Sequence, residues 1–140
     1  MTNKEIQYHR TYLKMAQVWA TLSKSKRKKV GALIVKENTI ISDGFNGTPT
    51  GFPNDCEDVD GNTQWYVLHA EANAILKTAR STQDISNSVL YLTLSPCKDC
   101  CKLIVQSGIR KIVYAEAYRD LDGITILKSS GIDVIKISDI

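Results

Sequence analysis

Three short segments carry residue types that do chemistry: His69-Ala70-Glu71, Pro96-Cys97-Lys98-Asp99-Cys100 and the strand end Gly44-Phe45-Asn46-Gly47. Cys97 and Cys100 are three residues apart, so in the first turn of a helix their sulfurs share a face. The free N–H groups of a helix start carry partial positive charge, which favours thiolates. Two thiolates and the His69 imidazole make three donors for zinc. Three protein donors leave a fourth tetrahedral position open, the pattern of a catalytic site. Positions i and i+2 do not share a helix face. His69 and Glu71 therefore reach one centre only if His69 sits at an irregular helix entry and Ala70 opens the helix. Glu71 is then a proton carrier beside the metal and not a ligand; zinc brings the pKa of a bound water near neutrality.

Each half of this constellation has a plainer reading. A lone Cys-x-x-Cys is also a redox pair, or half of a structural zinc site in which Cys56 or Cys101 supplies the fourth ligand. A lone histidine is commonly a packed side chain. The two halves strengthen each other because both fall at helix starts that follow apolar segments.

The elements that must position these residues alternate along the chain. Tyr8, Tyr12, Met15, Ala16, Trp19 and Leu22 recur at helical steps and predict an amphipathic helix over 5–22. Strands are expected over 30–35 and 39–45, joined by a hairpin turn at Lys36-Glu37-Asn38. Residues 47–62, rich in Gly, Pro, Asn and Asp, form the one long irregular segment, a length of loop that is usually functional or disordered. A helix follows over 70–80 and a strand over 89–94. Ser95 then reads as an N-cap and Pro96 as the first residue of a helix ending at Gly108. A strand over 111–115, a helix over 121–130 stopped by Gly131, and a strand over 133–137 complete the chain. Strands joined through helices run parallel. The expected architecture is a single α/β domain over 1–140: a three-layer α/β/α sandwich around a mixed five-stranded sheet.

Composition sets the outer bounds. A chain of 140 residues, 43% hydrophobic and 24% charged, has the profile of one globular domain. Four cysteines are too few for a disulfide scaffold. No apolar leader follows Met1, and no apolar run approaches the ~20 residues of a membrane span, so a reducing cytoplasm is expected. A net charge of +3 is not that of a dedicated nucleic-acid binder. Yet Lys24-Ser25-Lys26-Arg27-Lys28-Lys29 gathers five cations into six positions. That run is either a solvated turn or a small anion site.

The His-x-Glu and Pro-Cys-x-x-Cys pair is the signature of zinc nucleobase deaminases. With Val30-Gly31-Ala32, Gly44-Phe45-Asn46-Gly47-Thr48-Pro49-Thr50-Gly51 and Gly108-Ile109, the sequence resembles the cytidine deaminase superfamily. The Gly-x-Asn-Gly-x-Pro-x-Gly stretch points to its deoxycytidylate (dCMP) branch. The resemblance implies a zinc ion held by His69, Cys97 and Cys100. Glu71 would carry protons from the attacking water to N3 of cytosine and on to the leaving amine, giving dUMP and ammonia for dTMP synthesis. It implies Asn46 on the sugar, Ser95 main chain on the exocyclic amine, and Tyr118 beside the nucleotide. With a nucleotide substrate, Ser25, Arg27 and Lys29 become candidates for the phosphate. The family further implies a hexamer activated by dCTP with Mg2+ and inhibited by dTTP. The 44–55 loop, with Gly44, Asn46, Gly47 and Asp55, is the expected effector site, and Asp55, Glu57, Asp58 and Asp60 are candidates for Mg2+. Cys101 departs from the small alanine common in the family, and the loop lacks ligands for a second zinc. Cys56, Cys101 and His9 are read as bystanders, with His9 packed or on the surface.

Competing readings are a deaminase of another cytosine nucleotide or nucleoside, or of tRNA adenosine, and a zinc-stabilised binding module without turnover. A tRNA enzyme would show a broader basic surface. A free-nucleoside enzyme has no need of the basic run, and a structural zinc site has no need of Glu71.

Overall fold

The computed structural model describes all 140 residues. Helix α1 (Asn3–Ala20) precedes a hairpin of β1 (Gly31–Lys36) and β2 (Thr39–Phe45). Then α2 (Ala70–Ala79), β3 (Val89–Leu94), α3 (Lys98–Ser107), β4 (Lys111–Glu116), α4 (Asp122–Ser129) and β5 (Asp133–Lys136) follow in alternation. The strands form one sheet in the order β2-β1-β3-β4-β5. β1 is antiparallel to both neighbours, and β3, β4 and β5 run parallel. This is the expected mixed five-stranded sandwich. The hairpin closes through Glu37 and Asn38, both left-handed at φ 51° and 60°, as a two-residue turn of right-handed twist requires.

Alternation along the strands supplies two apolar faces. Ala32, Ile34, Leu90, Leu92, Ile112 and Tyr114 pack with Ala70 and Ala74 of α2, Cys101 and Ile104 of α3, and Ile124 and Leu127 of α4. Leu33, Val35, Tyr91 and Val113 face the other way onto Leu13 and Ala16 of α1. One face of the sheet thus carries α1 and the other carries the three helices that follow.

The buried stripe of α1 is not the one its large apolar residues suggest. His9, Leu13, Ala16 and Ala20 are buried, whereas Tyr8, Met15 and Leu22 are 43–48% exposed. Small residues occupy the contact because the helix backbone approaches the sheet closely: a Cβ on Gly31 would lie 1.9 Å from the Ala16 carbonyl oxygen. The helix also starts earlier than expected. Thr2 and Glu5 form a reciprocal capping box, the Thr-x-x-Glu pattern that satisfies two orphan N–H groups at once.

His9 is packed. Its Nδ1 lies 2.8 Å from the Tyr91 hydroxyl beneath the sheet. Burial, helped by the Lys111 charge, lowers its pKa from 6.5. The neutral ring therefore stabilises the fold fully above the unfolded value of about 6.5, and that contribution is lost as pH falls through the lower folded value. Thermal melts from pH 8 to pH 5 are expected to show a larger loss of Tm for the wild type than for His9→Gln.

Candidate active site and metal centre

Helices α2 and α3 begin at the same place. The N-cap of α2 is His69, at φ −72° and ψ 158°. The N-cap of α3 is Cys97, at φ −72° and ψ 164°. The expected helix start at Ser95-Pro96 is thereby corrected. Ser95 N–H donates to the Glu116 carbonyl at 2.8 Å, and Ser95 Oγ accepts from Tyr118 N–H at 2.7 Å. Ser95 is tied to the end of β4 and cannot cap α3, so the chain stays extended through Pro96.

An N-cap side chain ordinarily accepts a hydrogen bond from its own helix. Neither His69 nor Cys97 does so. Their side chains meet across the gap between the helices. His69 Nδ1 lies 3.5 Å from Cys97 Sγ and 3.4 Å from Cys100 Sγ, and the three donor atoms all lie within 4.8 Å of one another. Tetrahedral zinc with ordinary Zn–S and Zn–N bonds separates such donors by about 3.6 Å, so the residues present fit the ion. Neither Cys56 nor Cys101 joins the group. Cys101, one residue beyond Cys100, points away and is fully buried. The reading of a closed structural site with a fourth cysteine is excluded by that geometry.

The site's electrostatics follow from burial and close neighbours. Hydrogen bonding from Cys100 pulls the Cys97 thiol down to about 4, against the cost of burial, with His69 adding to the pull. Cys100 moves up, because it is the thiol that donates to Cys97 and because it is buried. Contact with Cys97 raises His69. Glu71 is 3% exposed. Burial pushes its carboxyl above the usual carboxylate range, opposed by the charge of His69. A carboxyl shifted in that direction is suited to taking and returning a proton.

His69, Glu71 and Cys97 border a cavity of about 200 Å³ whose lining also includes Ser25, Arg27, Lys28, Asn46, Ser95 and Tyr118. Drug-sized ligands occupy sites of ~300 Å³ or more, so this is a small cavity. Arg27 and Lys28 are exposed there. Lys29 is absent from that lining and borders a second cavity with Thr21 and Lys136, a cavity that Lys28 borders as well. Lys28 Nζ pairs with Glu116 at 2.8 Å. Asn46 is engaged at both ends of its amide, accepting from Val30 N–H at 2.9 Å and donating to the Lys28 carbonyl at 2.8 Å. Sequence reasoning missed Lys28, whose signal lay in the basic run, and Thr63 and Val67 of the cavity wall, which lie where the sequence has no periodicity.

The effector residues separate. Gly44 is buried under α2: a Cβ there would lie 2.4 Å from the Ala70 carbonyl oxygen and 2.7 Å from Ala74 N. Its neighbours also clamp α2, through Ser42 Oγ to the Ala74 carbonyl at 2.6 Å and Asn73 Nδ2 to the Phe45 carbonyl at 2.8 Å. Gly47 pairs with Leu68. Asp55 lines a different cavity, with Lys24, Lys26 and Arg27. The expected Mg2+ cluster does not assemble. Glu57 caps Lys26 N–H at 2.7 Å, Asp58 accepts from Asp60 and Asn62 N–H groups, and no acidic group of this loop converges with others.

Residues 6–116 match the family model for the cytidine and deoxycytidylate deaminase zinc-binding region, and the chain belongs to that family. The three metal donors and Glu71 lie inside the match. Within the family the likeness is to deoxycytidylate deaminases. The enzyme of Enterobacteria phage T4 is 35% identical over 170 residues, covering 91% of this chain and 88% of its own. The human enzyme is 35% identical, with 81% and 68% covered. The chain spans 60% of the length of the probable deoxycytidylate deaminase of Caenorhabditis elegans, at 36% identity over 82% of this chain. The crystal structure of dCMP deaminase from cyanophage S-TIM5, in complex with dCMP and dUMP, superposes with a TM-score of 0.92 at 45% identity over 98% of this chain and 100% of that one. A tRNA:A34 deaminase, at 21% identity and a TM-score of 0.65, shares the fold.

Gly44→Ala should push the start of α2 off the sheet and carry His69 and Glu71 with it. Zinc content by atomic absorption is expected to fall from about one per chain to a small fraction of that, with the sheet retained by circular dichroism.

Proposed function

We propose that this chain is a zinc-dependent hydrolase that converts dCMP and water to dUMP and ammonia, supplying dUMP for dTMP synthesis. The observation that carries this reading is the buried Glu71 carboxyl beside a three-donor metal set, at the inner end of a cavity whose opening bears Arg27 and Lys28. A site that only stabilised structure would have no use for a buried carboxyl there. The substrates and products bound in the cyanophage relative support the choice of nucleotide.

Zinc, when bound by His69, Cys97 and Cys100, supplies the Lewis acidity that makes water a nucleophile near neutral pH. Glu71 takes a proton from the attacking water and delivers it to N3 of cytosine. It then passes a second proton to the amine as the C4–N bond breaks, so one water enters and one ammonia leaves. Ser95 main chain borders the exocyclic amine. Asn46, held by the Lys28 carbonyl and the Val30 N–H, lines the cavity and takes the sugar. Arg27 and Lys28, with Ser25, meet the phosphate, the bidentate guanidinium being the better match. Tyr118 borders the nucleotide. Effector control by dCTP and dTTP, with hexamer assembly, rests on the resemblance. It attaches to the cavity around Asp55, which shares Arg27 with the substrate cavity. No helix is long and apolar enough to cross a membrane.

Glu71→Gln is expected to keep its zinc and lose about 10²–10⁴-fold in dCMP turnover; full turnover with zinc in place would refute the mechanism. Arg27→Ala with Lys28→Ala should raise KM for dCMP at least tenfold, roughly the loss of one charged hydrogen bond, and leave deoxycytidine unchanged. An equal effect on both substrates would place these cations off the phosphate.

A further inference from the structure

Helix α4 holds none of the residues so far assigned to the site, yet its first turn touches the back of the metal-binding turn. Gly123 is buried there. A Cβ added to it would lie 2.6 Å from Cys101 Sγ, 3.1 Å from the Pro96 carbonyl oxygen and 3.2 Å from the Cys97 carbonyl carbon. Real Cβ atoms essentially never come within 3.0 Å of another heavy atom, so even an alanine would force a movement. The turn it would push is rigid on its other sides. Pro96 is fully buried, Cys101 is 0% exposed, and Cys101 N–H donates to the Cys97 carbonyl at 3.0 Å. Cys101 Sγ also contacts the Pro96 carbonyl at 3.9 Å.

Cys97 has a particular need of such backing. As an N-cap it gives its own helix no side-chain bond, and its sulfur faces the metal donors. Its position is fixed by backbone and by what lies behind the backbone. We infer that Gly123 and Cys101 form a two-part seat for the Pro96-Cys97 turn, which sets the distance of Cys97 Sγ from the other two donors and so the strength of zinc binding. They are positioning residues that touch neither substrate nor metal. Cys101 is thus more than a bystander: a small side chain is required opposite a glycine, and a branched one would press on the turn from the α3 side.

The inference rests on the zinc reading, and the experiment separates the two. Wild-type protein, Gly123→Ala, Cys101→Ala, the double variant and Lys128→Ala are loaded with zinc and titrated with a chromogenic chelator. Each is also loaded with Co2+, and the thiolate-to-cobalt and d–d absorption bands are recorded. Gly123→Ala should lose zinc at ten- to a hundredfold lower chelator strength, the usual size of an effect one shell removed from a metal, with shifted or weakened cobalt bands. Cys101→Ala and Lys128→Ala should resemble the wild type. The double variant, relieved of the 2.6 Å contact, should recover to within a few-fold. Wild-type metal affinity and cobalt bands in Gly123→Ala would overturn the inference, and so would a double variant no better than Gly123→Ala alone. If Gly123→Ala fails to fold, Cys101→Val decides the matter by the same two readouts, since it presses on the same contact from the opposite helix. A wild type that takes up neither metal would instead refute the zinc centre itself.

Discussion

Two helix starts that face one another set the terms for the rest of this molecule. Each presents free N–H groups and the positive end of a dipole, and each has an N-cap residue whose side chain turns outward. A dication is unwelcome at such a place unless anionic donors come with it. Cys97, whose thiol is pulled down by its bond from Cys100 and by His69, meets that requirement first, and Cys100 would give up its proton when a metal takes it. Glu71 adds a carboxyl in the first turn of α2, buried tightly enough that its proton affinity rises. The donor set, the buried carboxyl and the enclosing cavity therefore follow from one arrangement. The sheet exists, from the site's point of view, to hold two helix axes at that spacing.

The opening of the cavity uses a different device. The turn before β1 carries many cations, and main-chain groups fix its shape. Glu57 caps Lys26 N–H, and Asn46 bridges the Lys28 carbonyl and the Val30 N–H. Holding a basic turn by its backbone leaves most of its side chains at liberty for an anion. It also explains why an acidic residue in the long loop need not signal a metal: Glu57 serves as a cap.

Much of this was legible in the amino-acid order, and the failures have identifiable causes. The sheet and its helices were readable from apolar runs and helix stops, because burial on two faces leaves strong periodicity. The metal donors were readable because three ligand types at fixed spacing have few other uses. Ser95 misled because its hydroxyl, a good cap by propensity, is held by the Tyr118 N–H just beyond the end of β4. The stripe of α1 misled in part: Ala16 is buried as its spacing suggested, but close approach to the sheet selects Ala20 beside it over the larger Met15 and Leu22. Gly44 lies in a motif whose composition suggested ligand contact, but composition does not say which way a strand faces, and this one faces α2. Gly123 carried no signal at all, since its role exists only once α4 has been laid against α3.

The separation between the donors has one more consequence. His69 and Cys97 are 28 residues apart and bracket β3, a central strand of the sheet. A metal joining them ties the chain into a closed loop, much as a disulfide would. By the usual entropy of cross-linking, a loop of that length removes roughly 3–4 kcal/mol of freedom from the unfolded chain. An ion held there would staple the middle of the sheet. Chelators should act on this protein as mild denaturants, and the order of events in refolding should depend on whether metal is present when the strand finds its place.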